Sequence, residues 1–248
     1  MKIFKSLILY LLILIFFIAF NFTDSPPPPS GWYQQFMPDI GGRQVTDVFF
    51  LDSLTGWGVT NIINQNPDTA YVLKTTNGGD NWSIIYRETL AGGGVYGLNR
   101  VYFLNADTGY ICGLDHSPVR GFQKTTDGGA SWIGLNVPVV AENYLDMSVL
   151  NADTQWLVTP NPLTGGVFRT TNGGASWVRQ YNNPNSQPEK IYMFNSRIGF
   201  ISCTNTNYAF LKTTNGGNNW TFIPGVDRYF DIYFADSLTG WKANGFLM

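Results

Sequence analysis

The sequence predicts an all-β protein, a β-propeller of four-stranded antiparallel blades forming an incomplete ring, and three observations predict it. Aromatic residues make up 16% of the 248-residue chain and glycines number 27, the two classes that build strands and tight turns. A nine-residue pattern recurs four times: KTTNGGDNW at 74–82, KTTDGGASW at 124–132, RTTNGGASW at 169–177 and KTTNGGNNW at 212–220. The tryptophans that close these copies are 50, 45 and 43 residues apart, a period that suits one propeller blade.

A second motif precedes each copy. It reads VFFLDSLTGW ending at Trp57, VYFLNADTGY ending at Tyr110, MSVLNADTQW ending at Trp156 and IYMFNSRIGF ending at Phe200. A fifth instance, IYFADSLTGW, ends at Trp241. Within the first repeat, short β-rich runs between turn residues place an inner strand at 48–51, a second at 57–60, a third at 70–75 and a fourth at 82–86. Asn77-Gly78, Asp127-Gly128, Asn172-Gly173 and Asn215-Gly216 suit the positive φ of a two-residue hairpin joining the third strand to the fourth. The tryptophan that follows opens the outer strand and buries a large ring.

Trp32 in GWYQQF matches the outer-strand position of Trp177, so the N-terminal stretch is expected to complete the last blade. Residues 230–248 supply two inner strands and the start of a third at 246–248. The propeller at 32–248 therefore reads as four full blades with a partial fifth: either a fragment or a five-bladed ring with a defective closing blade.

Ahead of it, Lys2 and Lys5 precede an unbroken apolar run at 7–20 and a polar stretch at 21–25, the pattern of a signal peptide or N-terminal anchor over 1–25. The proline tract at 26–29, within a linker over 26–31, is a stiff spacer. The remainder is expected in the cell envelope or secreted. A net charge of −2 gives no electrostatic footprint for nucleic acid or an anionic membrane surface. Cys112 and Cys203 form neither a disulfide framework nor a metal-ligand pattern, and read as small hydrophobes.

The four copies resemble the Asp-box or BNR repeat, Ser/Thr-x-Asp/Asn-x-Gly-x-x-Trp. Its residues here are Thr75, Asn77, Gly79 and Trp82; Thr125, Asp127, Gly129 and Trp132; Thr170, Asn172, Gly174 and Trp177; and Thr213, Asn215, Gly217 and Trp220. With a Thr-Gly-Trp motif before each box, the chain is similar to the photosystem II stability/assembly factor-like propellers over residues 32–248. Asn replaces Asp in three boxes, and Gln155 stands in place of Gly before Trp156. The resemblance implies an exported propeller, often seven-bladed, that binds other proteins; it does not imply photosynthesis.

The boxes read as structural turns with no cofactor, because Asp127 alone among the four positions is an acid and calcium takes several carboxylates. Asp-box repeats also occur in sialidases, but with Glu88, Glu142 and Glu189 as the only glutamates no tyrosine, glutamate and aspartate set matches that family. An aspartate pair acting on glycosides remains the rival reading, with a glycan as the alternative ligand. His116, the single histidine, follows Asp115 and reads as a surface turn. Tyr96 and Tyr144 are candidates for a sugar-binding or peptide-binding surface, and the loops at 61–69, 90–97 and 182–187 lengthen their blades.

One slot is charged in every repeat. Nine residues before the Gly or Gln of the Thr-Gly-Trp motif stand Asp47, Arg100, Asp146, Lys190 and Asp231, alternating in sign. Opening the innermost strands, they are expected to form an arc at one mouth of the central channel, joined by Arg43 and Arg228 from entering loops. Pairing between neighbouring blades and a polar recognition face are the two readings. The expected function is an exported noncatalytic scaffold for a protein partner outside the cytoplasm.

Overall fold

The computed structural model describes residues 35–62, 70–88, 97–114, 121–137, 144–161, 163–203, 210–224, 231–234 and 239–243. Every regular element among them is a strand. The first blade consists of β1 (Val45–Phe50), β2 (Gly56–Thr60), β3 (Ala70–Thr75) and β4 (Ser83–Glu88); the second of β5 (Gly97–Phe103), β6 (Gly109–Leu114), β7 (Phe122–Thr125) and β8 (Ile133–Gly134). Strands β9 (Asp146–Val149), β10 (Gln155–Thr159), β11 (Gly166–Thr170) and β12 (Val178–Tyr181) form the third, and β13 (Pro188–Met193), β14 (Gly199–Cys203), β15 (Phe210–Thr213) and β16 (Thr221–Phe222) the fourth. A two-stranded sheet, β17 (Asp231–Phe234) and β18 (Gly240–Ala243), follows. Each four-stranded sheet is an antiparallel meander in chain order, which is the blade of a propeller.

Blades pack face to face through apolar clusters. Trp57, Val59 and Val72 of the first meet Leu98, Val101 and Phe103 of the second, with Trp57 stacked on Phe103 at 3.6 Å between centroids. Tyr110 and Phe122 of the second meet Met147, Leu157 and Phe168 of the third. Both cysteines are buried in these interfaces, Cys112 in the second and Cys203 in the fourth blade's cluster. Burial drives both thiols' pKa upward, Cys203 to about 11.

The box is not the two-residue hairpin that the Asn-Gly dipeptide suggests. Between β3 and β4 lies a longer loop in which both glycines, Gly78 (φ 71°) and Gly79 (φ 97°), take the left-handed region, while no non-glycine residue among those described has a positive φ. The side chains explain the loop. The Thr75 hydroxyl accepts the N–H of Gly79 at 3.0 Å and of Asn77 at 3.3 Å, and donates to Asn77 Oδ1 at 2.9 Å; Asn77 Oδ1 also accepts the Asn81 N–H. The same set recurs around Thr125, Thr170 and Thr213. Asn serves as well as Asp because only Oδ1 is needed.

The two sequence motifs are one folded unit. The N–H of Gly78, Gly128, Gly173 and Gly216 donates to a carbonyl in the turn before the second strand, at Leu54, Asp107, Asp153 and Arg197. That turn is itself closed by the side chain of Asp52, Asn105, Asn151 or Asn195, each accepting two backbone N–H groups. Register then sets Lys74 opposite Trp57, Lys124 opposite Tyr110, Arg169 opposite Trp156 and Lys212 opposite Phe200. Each cation lies over its aromatic ring, 4.9 to 6.0 Å from the centroid.

Gln155 has its own logic. A Cβ on Gly109 would come within 2.6 Å of the Phe103 ring, and one on Gly56 or Gly240 would meet Phe50 or Phe234. In the third blade the residue across the ladder is the smaller Val149, so a side chain fits. Gln155 uses the space to donate to the carbonyls of Asn151 and Ala152 at 2.9 and 2.7 Å.

Candidate functional site: the charged mouth of the inner strands

The inner strands β1, β5, β9, β13 and β17 pack against one another in chain order and line a cavity of about 220 Å³. The charged slot opens only β9 and β17; Asp47, Arg100 and Lys190 lie inside β1, β5 and β13, because those strands begin two or three residues earlier than the sequence pattern suggests. Four of the five slot residues line the cavity: Asp47, Arg100, Asp146 and Asp231. Lys190 and Arg43 do not; Lys190 makes no ion pair among the described residues, and Arg43 lies over the Tyr71 ring at 4.5 Å with Nη1 donating to the Ile40 carbonyl. Arg228, Tyr96, His116 and Trp32 lie outside the described residues, as do the N-terminal run and residues 246–248.

Arg100 is the hub. Its Nε donates to Asp146 Oδ1 at 2.7 Å, Nη1 to Asp47 Oδ1 at 3.3 Å and Nη2 to Asp231 Oδ1 at 3.4 Å. The guanidinium fork allows this because its donors diverge in one plane. Burial works to lower the pKa of Arg100, but Asp146, Asp47 and Asp231 outweigh it and hold the pKa above the ordinary guanidinium value. Asp47 is moved the other way from a salt-bridged carboxylate: burial raises its pKa more than Arg100 and the Val101 N–H lower it.

The carboxylates also clamp blades together. Asp47 Oδ2 accepts the N–H of Val101 in the second blade at 3.0 Å, and Asp146 Oδ2 accepts that of Ile191 in the fourth at 2.8 Å. Asp231 stays closer to home, accepting the N–H of Ile232, and its side chain is 59% exposed. One guanidinium thus faces three carboxylates, two shielded and one open to solvent.

Two residues beyond four of the five charged slots stands an aromatic layer that the sequence reading did not single out, Phe49, Tyr102, Tyr192 and Tyr233, all lining the same cavity; after Asp146 the position is Ser148. Phe49 and Tyr102 pack with centroids 4.7 Å apart, and Tyr192 and Tyr233 at 6.3 Å. The period-two alternation after the charged slot was the available signal. Burial raises the phenol pKa of Tyr102 and Tyr192, and the Tyr192 hydroxyl donates to the Phe234 carbonyl at 2.8 Å. Tyr144, expected on a binding surface, is fully buried between the second and third blades instead. Gly121 lies against its ring, leaving no room for a ligand. Among the described residues no cluster of metal-ligating side chains is gathered.

The fold and this mouth define a β-propeller of antiparallel four-stranded blades with charged inner strands. No family model matches the chain, and no curated protein does. Solved structures do. A structure of YCF48 bound to D1 peptide superposes with a TM-score of 0.55 at 21% identity, covering 77% of this chain and 57% of that one. YCF48 from Cyanidioschyzon merolae gives 0.54 at 21% identity, covering 81% and 63%. The GH74 enzyme of Niastella koreensis gives 0.58 at 13% identity, covering 76% of this chain and 31% of that one. The chain therefore spans about three fifths of the YCF48 structures and under a third of the GH74 enzyme, and the likeness shows the fold.

Proposed function

We propose that this chain is an exported, noncatalytic propeller that holds a segment of a protein partner at the mouth of its inner strands. The observation that carries the reading is the disposition of the carboxylates. Asp47 and Asp146, the shielded carboxylates of the mouth, are each engaged by Arg100 on one oxygen and by a backbone N–H on the other, which leaves neither with an unpartnered oxygen to act as acid or base. Asp231 and Tyr233, 59% and 62% exposed, are left at the rim as a carboxylate beside an aromatic face, a pairing suited to a peptide. Support for a peptide comes also from the likeness to YCF48, solved bound to D1 peptide. The export reading rests on the charged and then apolar N-terminal run.

The second reading is a glycoside hydrolase or carbohydrate-binding propeller. It draws on the raised pKa of Asp47, the aromatic layer beside it and the likeness to GH74 folds. Selection of peptides from a displayed library, followed by counter-screening against Asp231→Lys and Tyr233→Ala, tests the first reading. Peptides that bind the native chain and lose affinity for both variants are expected. Turnover of a fluorogenic glycoside that disappears in Asp146→Asn would overturn it.

A further inference from the structure

The cavity at the mouth is lined by an unequal set of charges. Three carboxylates, Asp47, Asp146 and Asp231, face one guanidinium, that of Arg100, and Lys190 is not among the lining residues. Nε, Nη1 and Nη2 of Arg100 each donate to a different aspartate, so the one cation is shared three ways. The surplus is felt within the cluster: burial is the main cause that raises the pKa of Asp47, and the charge of Asp146 adds to it even with Arg100 between them. The aromatic layer adds a second demand for positive charge. Phe49, Tyr102 and Tyr233 stand two residues along from Asp47, Arg100 and Asp231, so ring and charged slot lie on the same face of each inner strand. In blades one to four the aromatic of the second strand has a cation over its face, whereas among the described residues none lies over the rings of this layer.

On the reading that the mouth holds a segment of a protein partner, we infer that the cavity receives a basic side chain of that segment, lysine or arginine, with its head among the aspartates and its stem along the aromatic layer. Both parts of such a side chain find what they need. The methylene stem is apolar and lies well against a ring, while the charged head keeps its contact with water and carboxylate. A ring face attracts the same head that the aspartates attract, so the two layers select for one sign of charge. Asp47 and Asp146 already have both oxygens engaged and supply the field of the site, whereas Asp231, more exposed than either, is the carboxylate a newcomer meets first. An acidic side chain at the same place would face three like charges across one shared guanidinium and is disfavoured. A bare metal ion is a poorer match, because among the described residues no cluster of metal-ligating side chains is gathered and four rings line the space.

The test passes acetylated, fluorescently labelled heptapeptide pools over the immobilised full chain. Each pool is random over uncharged residues except at its central position, which is lysine, arginine, norleucine, glutamine or glutamate. Retention of the lysine and arginine pools about three- to thirtyfold above the norleucine pool is expected, the combined size of one ion pair and one cation–π contact. Asp231→Asn and Tyr233→Ala, both at exposed positions, should each lower that preference about two- to fivefold. Asp80→Asn, the same charge change at an exposed residue outside the cavity, should leave it unaltered. Equal retention of all pools overturns the inference and leaves the peptide reading standing, and so does a preference for glutamate. Retention of no pool overturns both. A lysine preference that Asp80→Asn lowers as much as Asp231→Asn also overturns the inference, since the attraction then belongs to the whole surface.

Discussion

Replacing Arg100 by methionine keeps the length of the side chain and removes the cation that three carboxylates share. Arg100, Asp47 and Asp146 have side chains only 17%, 19% and 9% exposed, so the two aspartates cannot recover full hydration when the guanidinium goes. Removing one partner of a buried ion pair costs about 3–5 kcal/mol. For a chain of this size, with each kcal/mol lowering Tm by about 2–4 °C, the expected loss is on the order of 6–20 °C. Calorimetry across pH supplies the sharper check. Asp47 already has a folded pKa above its unfolded value, and loss of Arg100 raises it further. A carboxyl with a raised folded pKa carries no penalty while both states are protonated, below the unfolded value near pH 4; its penalty accumulates as pH rises through the folded value. The deficit of Arg100→Met is therefore expected to be smallest in acid and to widen toward neutral pH. Asp231→Asn serves as the control, since that carboxylate is 59% exposed and its pairing is worth about 0–1 kcal/mol. A loss of stability that is the same in Asp231→Asn, or one that does not change with pH, would refute the account of Arg100 as the buried hub.

Three further outcomes are expected. Gly109→Ala forces a Cβ to within 2.6 Å of the Phe103 ring, which is 1% exposed and stacked on Trp57, and should cost about 1–3 kcal/mol; Gly56→Ala should cost less, because Phe50 is 40% exposed and can swing away; paired denaturant titrations compare them. Thr125→Val keeps the shape of the box but leaves the buried Gly129 N–H without its acceptor, a loss of about 1–3 kcal/mol readable as a lower Tm. Asp127 has its pKa lowered to about 2, first by the Ser131 hydroxyl and then by the Ser131 N–H, so its contribution is present above its unfolded pKa near 4 and is lost as pH falls through 2; Asp127→Asn should flatten the acid limb of the stability curve there, measured by circular dichroism.

Much of the blade was legible because two periodicities coincide. The third strand of the first blade is predicted and found at 70–75, since a β-rich run leads directly into a box whose Thr ends the strand. The box itself was misread at the dipeptide level. Asn77-Gly78 suggests a two-residue hairpin, but the Thr75 hydroxyl, two residues earlier, gathers enough N–H groups to fold a longer loop with positive φ at both glycines. The coupling of Gln155 to Val149 was present in the sequence and is visible once the register sets them opposite each other. The charged slot illustrates a different limit. Sign alternation along the repeats is a property of sequence, but that Arg100 reaches three carboxylates while Lys190 forms no ion pair among the described residues depends on the distance across the mouth. No local pattern encodes that distance. Arg43 was placed at the mouth by proximity in sequence to Asp47, whereas the ring of Tyr71 attracts its guanidinium.

The carboxylate clamps have a consequence for how such a chain can lengthen. Asp47 and Asp146 each hold the backbone of the blade that follows, and each shares Arg100 from the blade between them. Copying a single blade into this series would set two like charges side by side at the partly buried mouth, where repulsion is least screened. Copying two adjacent blades preserves the alternation. Growth by pairs is thus tolerated by the charges that make growth by ones costly, and an engineered array built from these repeats should use the second and third blades as its repeating unit.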